Sequence, residues 1–224
     1  MRKINAKLIS LALIVFFAVN FSLFAATNLN LNKSGNKKFN LNNNVSKNQV
    51  KFNSKAPGEE IDGTANIING SFNLDPANIE ATNGEITVEV KSMTTNNSRR
   101  DEHMMKPEWL DEAKFSQIKY KVKKLTDIHV ESTDPKTGKA VVKAIALGEF
   151  ILHGVTKELK SNISLTYILE SAETKKRAEG DFVMIQADFP VKLSDFKITG
   201  KANIIGDKVA EIVNLKANIF AAGK

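Results

Sequence analysis

Apolar and polar residues alternate with a period of two over most of the chain from Gln49 onward. Val50, Phe52 and Ser54 interleave with Lys51, Asn53 and Lys55; Ile86, Val88 and Val90 with Thr87, Glu89 and Lys91; Ile118, Tyr120 and Val122 with Lys119, Lys121 and Lys123. Ile163, Leu165, Tyr167 and Leu169 alternate with more polar neighbours, Phe182 and Met184 open a further run, and Ile212 to Phe220 form the last. A period of two places one face of each strand on a core and the other in water. Turn signals separate the runs. Asn83-Gly84 is a two-residue hairpin signal. In Asp134-Pro135-Lys136-Thr137-Gly138 the proline presets φ and the glycine supplies a left-handed position. Gly154, Gly180 and Gly206-Asp207 mark further turns. About eight strands are expected, several longer than the usual ~5–6 residues. Long strands linked to their sequence neighbours favour a curled sheet or an up-and-down barrel over a sandwich.

One stretch departs from the alternation. Ser98 to Lys114 reads as helix and loop, with Ser98 and Asp101 at helix-start spacing and Pro107 ending or restarting the helix. Met104, Met105, Trp109, Leu110 and Phe115 give it an apolar side. That side fits two roles, core beneath the helix or a flexible lid over an apolar ligand, for which methionine is well suited.

The N-terminus follows another logic. Arg2, Lys3 and Lys7 precede an apolar run from Leu8 to Phe24, closed by Ala25 and Ala26 before Thr27 and Asn28. This is the order of a secretory signal, expected over residues 1–26. The run also approaches the ~20 residues that span a bilayer, but the small residues and the polar stretch behind them favour cleavage. A periplasmic or secreted location follows, with no stable membrane insertion once the signal is removed. Nine of the 23 residues from Thr27 to Gln49 are Asn and four are Lys. Such composition buries little apolar surface, so 27–37 is expected as a flexible segment. Phe39-Asn40-Leu41 is a candidate first strand of a domain covering 38–224.

Composition removes several function classes. The chain has no Cys, hence no disulfide framework and no Cys-based metal site. Its net charge of +7 comes from Lys interspersed with Glu and Asp. No Arg-rich block or basic-aromatic RNA signature is present, which argues against nucleic acid. His103, His129 and His153 are far apart and in no metal-ligand spacing. There is no G-x-S-x-G elbow, phosphate-binding loop or dinucleotide fingerprint, so no catalytic residue, metal or required cofactor is assigned. Arg99 to His103 is the densest polar constellation. Arg100, Asp101 and His103 read as a structural polar cluster bracing adjacent strands, with an anion or lipid-headgroup site as the other reading.

Three blocks in this order resemble the YceI-like family of exported lipid-binding proteins. The first runs from Phe52-Asn53-Ser54-Lys55-Ala56-Pro57 through Ile61-Asp62-Gly63-Thr64 to Gly70-Ser71-Phe72-Asn73-Leu74-Asp75-Pro76. The second comprises Gly84 to Met93, Arg100-Asp101-Glu102-His103-Met104, Trp109-Leu110-Asp111 and Lys114-Phe115. The third is Gly148 to Lys157, with Leu152-His153-Gly154-Val155-Thr156-Lys157 at its centre. The resemblance runs from about residue 38 to the C-terminus. It implies a lipocalin-like, eight-stranded antiparallel β-barrel with a short helical insert, which holds a polyisoprenoid or isoprenoid-quinone-like chain and is not an enzyme. It also allows a homodimer. A cargo-free stress or surface-interaction protein on the same fold is the alternative. The wall residues expected to meet lipid are Phe52, Ile67, Phe72, Val88, Val90, Ile118, Tyr120, Phe150, Leu152, Leu165, Tyr167, Phe182 and Met184. Met104, Met105, Trp109, Leu110 and Phe115 join them from the insert. A one-residue error in parity would invert the face of any strand.

Overall fold

The computed structural model describes residues 26–201 and 203–224. The expected signal segment, apart from Ala26, lies outside the described residues. Eleven strands form one antiparallel sheet: β1 (Lys37–Leu41), β2 (Gln49–Lys55), β3 (Glu60–Ala65), β4 (Ile68–Asp75), β5 (Asn78–Glu89), β6 (Met93–Thr94), β7 (Gln117–Asp134), β8 (Lys139–Leu152), β9 (Val155–Ile168), β10 (Asp181–Lys192) and β11 (Ile212–Gly223). Eight of them close a barrel in the order β1-β4-β5-β7-β8-β9-β10-β11, with β11 returning to β1. The expected eight-stranded antiparallel barrel is therefore the fold. Two short helices, α1 (Ser98–Met104) and α2 (Ala172–Lys175), lie outside the ring.

The closure is not a plain up-and-down one, because the first strand is broken in two. β1 pairs with Ala221–Gly223 of β11, and β2 pairs with Asn214–Asn218 of the same strand. The asparagine-rich loop between them maintains the ladder across the break. The backbone N–H of Phe220 donates to Asn48 Oδ1 (2.8 Å), Asn48 Nδ2 donates to the Phe220 carbonyl (3.3 Å), and Asn43 Oδ1 accepts from Asn48. Beyond the break, β2 pairs with β3 and β3 with β6, so this part of the wall leaves β11 and does not return to β4. The barrel is cinched where β1 meets β4 and splayed at the β2–β3 end.

The base is filled. Phe39, Phe72, Leu74, Ile79, Leu125, Leu165 and Tyr167 are all buried in one apolar cluster, with Phe39 stacked on Phe72 at 5.5 Å and edge-on to Tyr167 at 5.8 Å. Leu29 and Leu31, at 0% and 2% exposure, belong to the same cluster. The segment expected to be flexible is thus a plug. The Leu29 N–H donates to the Pro76 carbonyl (2.7 Å), and the Leu29 carbonyl accepts from Thr133 Oγ1 (2.9 Å). The asparagine content of 27–37 conceals these two leucines, and Asn30 and Asn32 beside them take left-handed φ values of +55° and +51°.

A buried charge lies at the start of β10. Asp181 accepts from the Tyr167 hydroxyl (2.7 Å) and the Glu170 N–H (2.9 Å), and it forms an ion pair with Lys37. Burial alone would raise its carboxyl, but the bonds from Lys37, Glu170 and Tyr167 outweigh it and hold the group below the usual carboxylate range.

Candidate functional site: an apolar chamber under the splayed end

Side-chain size along the inner wall decides where the barrel is hollow. β8 turns Ala140, Val142, Ala144, Ala146, Phe150 and Leu152 inward. Ala187 on β10 and Ala217 on β11 add small residues near the middle, and Gly84 on β5 adds none of its own bulk. A narrow cavity of about 130 Å³ opens there, lined by Phe72, Ile86, Val88, Val122, Leu165 and Ile185 among others. Above it lies a larger cavity of about 600 Å³ under the splayed end. Phe52, Met93, Ile118, Phe150 and Leu215 line both, so the two spaces share a wall. The larger one falls within the ~300–1,000 Å³ typical of ligand pockets.

The boundary between them is aromatic. Phe150 lies 5.7 Å from Phe189, 6.5 Å from Tyr120 and 5.6 Å from Phe196, edge-on in each case. The Tyr120 hydroxyl donates to the Ala146 carbonyl (2.8 Å), which removes its polar atom from the apolar wall. Burial pushes that phenol up to about 12. The tip of the Phe52 ring lies over Gly63, its cross-strand neighbour; a Cβ at Gly63 would stand 2.0 Å from Phe52 Cζ.

The mouth is roofed by three pieces that hold one another. α1 and its following loop carry Met104, Trp109 and Leu110 into the chamber wall, and loop 197–211 brings Ile198, Ile204 and Val209. The Gly200 N–H donates to the Glu108 carbonyl (2.9 Å), the Gly58 N–H to the Asp207 carbonyl (2.9 Å), and the Ala210 N–H to Ser54 Oγ (2.8 Å). Gly200 has φ +59°, and a Cβ there would stand 2.8 Å from the Trp109 indole, so glycine suits both the turn and the packing.

The Arg99–His103 constellation sits on this roof. Asp101 accepts from Thr94 Oγ1 (2.6 Å), Thr95 N–H (2.8 Å) and Thr95 Oγ1 (2.7 Å). Burial would raise its carboxyl, yet these bonds and the Arg100 charge together lower it. Arg100 pairs with Glu59 at 2.5 Å, tying α1 to the β2–β3 turn. Arg99, Arg100 and His103 also line the larger chamber. His153, at φ +50° in the β8–β9 turn, places Nδ1 3.1 Å from the Phe196 carbonyl and packs edge-on to Phe115 at 5.1 Å. Among the described residues no cluster of three His, Asp or Glu side chains could hold a metal.

Of the expected wall residues, Phe52, Phe72, Val88, Ile118, Tyr120, Phe150, Leu152 and Leu165 line one or both spaces, as do Met104, Trp109 and Leu110. Others do not. Tyr167 points inward but is packed in the base, below the hollow. Val90 and Met105 pack in the cluster around the mouth without lining the chamber. Phe115 covers Gly154 and His153 instead. Ile67, 45% exposed, sits in the connection between β3 and β4. Phe182 and Met184 have the opposite parity to the lumen on β10, where Ile185, Ala187 and Phe189 line the narrow cavity and Val191 the larger one; Phe182 is nonetheless buried. Phe182-Val183-Met184-Ile185 is apolar on both faces, so its start carries no parity; Asp188 and Lys192, outside and alternating with Phe189 and Val191, do. Met93 and Leu215 lacked any sequence signal beyond their alternation. Lys201 and Lys208 lay in a loop read only as a turn.

Comparison with known proteins agrees with this architecture. The YceI-like domain family matches residues 39–221. A UPF0312 protein of Pseudomonas fluorescens is 30% identical over 140 residues, covering 62% of this chain and 65% of that protein. The chain spans about half to two thirds of the length of such curated relatives, 48% for one from Vibrio cholerae. Among solved structures, Burkholderia cenocepacia BcnA superposes with a TM-score of 0.62 at 15% identity, covering 81% of this chain and 99% of that one. A polyisoprenoid binding domain from Saccharophagus degradans, implicated in plant cell wall breakdown, gives 0.55 at 14% identity, covering 86% and 100%. At these identities the likeness to solved structures concerns the fold.

Proposed function

The chain belongs to the YceI-like domain family, and from that membership and the shape of its interior we propose that it is an exported carrier of a long apolar chain of the polyisoprenoid or isoprenoid-quinone type. The carrying observation is the pair of adjoining apolar spaces that share Phe52, Ile118 and Phe150 as a wall, wide at the mouth and narrow at the waist, above a base filled by Leu29, Phe39 and Phe72. A tube of this form suits a slender chain that enters from the splayed end. Each buried CH₂ stabilises by roughly 0.8 kcal/mol, so the tail needs no polar contact along its length. The similarity in fold to a domain described as polyisoprenoid-binding supports the same ligand class. The basic start and the apolar run from Leu8 to Phe24 support export. Carriage is preferred to catalysis because the waist is walled by apolar side chains, with the Tyr120 hydroxyl already bonded to backbone.

Trp109, the single tryptophan of the chain, reports on occupancy. Titration with prenyl alcohols of increasing length is expected to change its fluorescence saturably, with affinity rising with chain length. Ala187→Phe fills the waist. It is expected to weaken binding of the longest alcohols by about tenfold or more, equivalent to two or more excluded CH₂ groups, and to spare the shortest. No saturable response at any length would overturn the proposal.

A further inference from the structure

The plug that fills the base begins at an anchored nitrogen. The Thr27 nitrogen lies 2.9 Å from Glu80 Oε1 and 2.9 Å from Glu80 Oε2, and the Thr27 hydroxyl also donates to Oε1. The Thr27 carbonyl accepts from the Ile79 N–H (3.2 Å), and the Leu29 N–H donates to the Pro76 carbonyl (2.7 Å). Residues 27–29 thus run along the β4–β5 hairpin, with Leu29 buried in the filled base. Among the described residues no lysine, arginine or histidine side chain pairs with Glu80. A backbone amide carries one hydrogen and cannot serve two carboxylate oxygens fully, whereas an ammonium carries three. The residue before Thr27 is Ala26, which is exposed. It is the second of the two small residues that close the apolar run from Leu8 to Phe24.

We propose that the bond between Ala26 and Thr27 is the processing site of the chain, and that Glu80 is the receptor for the α-ammonium its hydrolysis releases. This rests on the export reading and adds where the cut falls and what it does to the fold. An export signal peptidase cuts after small residues of this kind. Hydrolysis consumes one water: the Ala26 acyl carbon takes the oxygen and becomes a carboxylate, and the Thr27 nitrogen leaves as an amine that is protonated at neutral pH. The new charge then stands against both oxygens of a carboxylate already in place. Charge-assisted hydrogen bonds are stronger than those of a neutral amide, so the cut tightens the hold on Leu29 and Leu31. Before it, one neutral N–H and a hydroxyl serve the same carboxylate, and the plug is held less firmly. The base of the barrel is completed by maturation.

The test has two steps. The full chain is expressed for export in a bacterial host, and the N-terminus of the product is read by intact mass and terminal sequencing. The product is expected to begin at Thr27. A product that begins at another residue would overturn the site, whereas a chain that keeps residues 1–26 would remove the export reading and this one with it. The product is then compared with the same protein acetylated on its α-amine, at about pH 6, where an ordinary α-amine (~8) is charged. Hydrogen exchange of the Ile79 amide, which donates to the Thr27 carbonyl, reports whether Thr27 is seated. Exchange is expected to be about fivefold slower with the free ammonium than with the acetylated nitrogen. In Glu80→Gln, which keeps an acceptor oxygen and removes the charge, the two forms should exchange alike. No difference in the parent, or a difference that persists in Glu80→Gln, would overturn the receptor role.

Discussion

Asp181 shows how one residue couples the barrel's closure to its base. It lies at the start of β10, is 1% exposed, and is bonded by Tyr167 from β9 and Lys37 from β1. Its carboxyl is held below its ordinary value in the folded state. The associated stability is therefore present above the unfolded value, about 3.9, and is lost as pH falls through the lower folded one. Asp181→Asn leaves Lys37 without its counter-charge in a largely buried place, and is expected to cost on the order of 3 kcal/mol at neutral pH. Urea unfolding as a function of pH should show the difference between variant and parent narrowing below about pH 4. A difference that stays constant to pH 2 would contradict the assignment. None of this network was visible beforehand: Asp181 and Tyr167 each looked like ordinary strand residues, and only the pairing of β9 with β10 brings them together. Phe52 and Gly63 are a second case, since the need for glycine at 63 arises from a ring on another strand.

At the scale of elements, what was legible depended on whether a strand has one apolar face or two. β9 alternates from Ile163, so Leu165 and Tyr167 were readable, as was Val88 on β5; β8 is apolar on both faces from Val141 to Leu147, and only Phe150 and Leu152 were read from it. β10 opens with four apolar residues in succession, so Phe182 and Met184 were assigned to the lumen although Val183 and Ile185 occupy it. β7 alternates until Lys123-Lys124, where a bulge shifts the register and hands the inward position to Leu125. The two adjacent lysines were its trace in the sequence. The first segment misled through composition: asparagine dominates it, yet Leu29 and Leu31 are among the most buried side chains in the molecule. Leu29→Ala is expected to destabilise the barrel by about 2–5 kcal/mol, read as a lowered midpoint in urea with an unchanged slope. A cost below about 0.5 kcal/mol, the range of ordinary surface substitutions, would mean that the plug is not part of the cooperative core. The roof is held differently. Asp101 is bonded to Thr94 on β6 and to Thr95, and the neighbouring Arg100 adds a half-exposed pair with Glu59. Exposed pairs of this kind contribute about 0–1 kcal/mol, so the bonds from the Gly200, Gly58 and Ala210 N–H groups carry more of the roof's attachment.

Across the whole molecule, the two ends of the barrel are built for opposite tasks. At the base, large side chains and the Leu29–Leu31 plug fill the interior. In the middle, Ala146, Ala187 and Ala217 leave it narrow and open. At the splayed end, β2 and β3 depart from the ring and α1 and loop 197–211 roof a wider space. About eight long strands in a curled sheet or barrel followed from alternation and turn spacing, and the closed eight-stranded ring from the family resemblance. The asymmetry did not, because it arises from the break between β1 and β2 and from a loop whose apolar residues, Ile198, Ile204 and Val209, lack strand periodicity. The proposed function turns on this apolar interior holding a lipid. Mass spectrometry of an organic extract from the natively purified protein addresses it most directly. An apolar chain lipid in near-equal molar ratio to protein is expected, released by solvent and depleted in an extract of the Ala187→Phe variant when the chain is long. A clean extract, together with a protein that accepts no prenyl chain added afterwards, would contradict it.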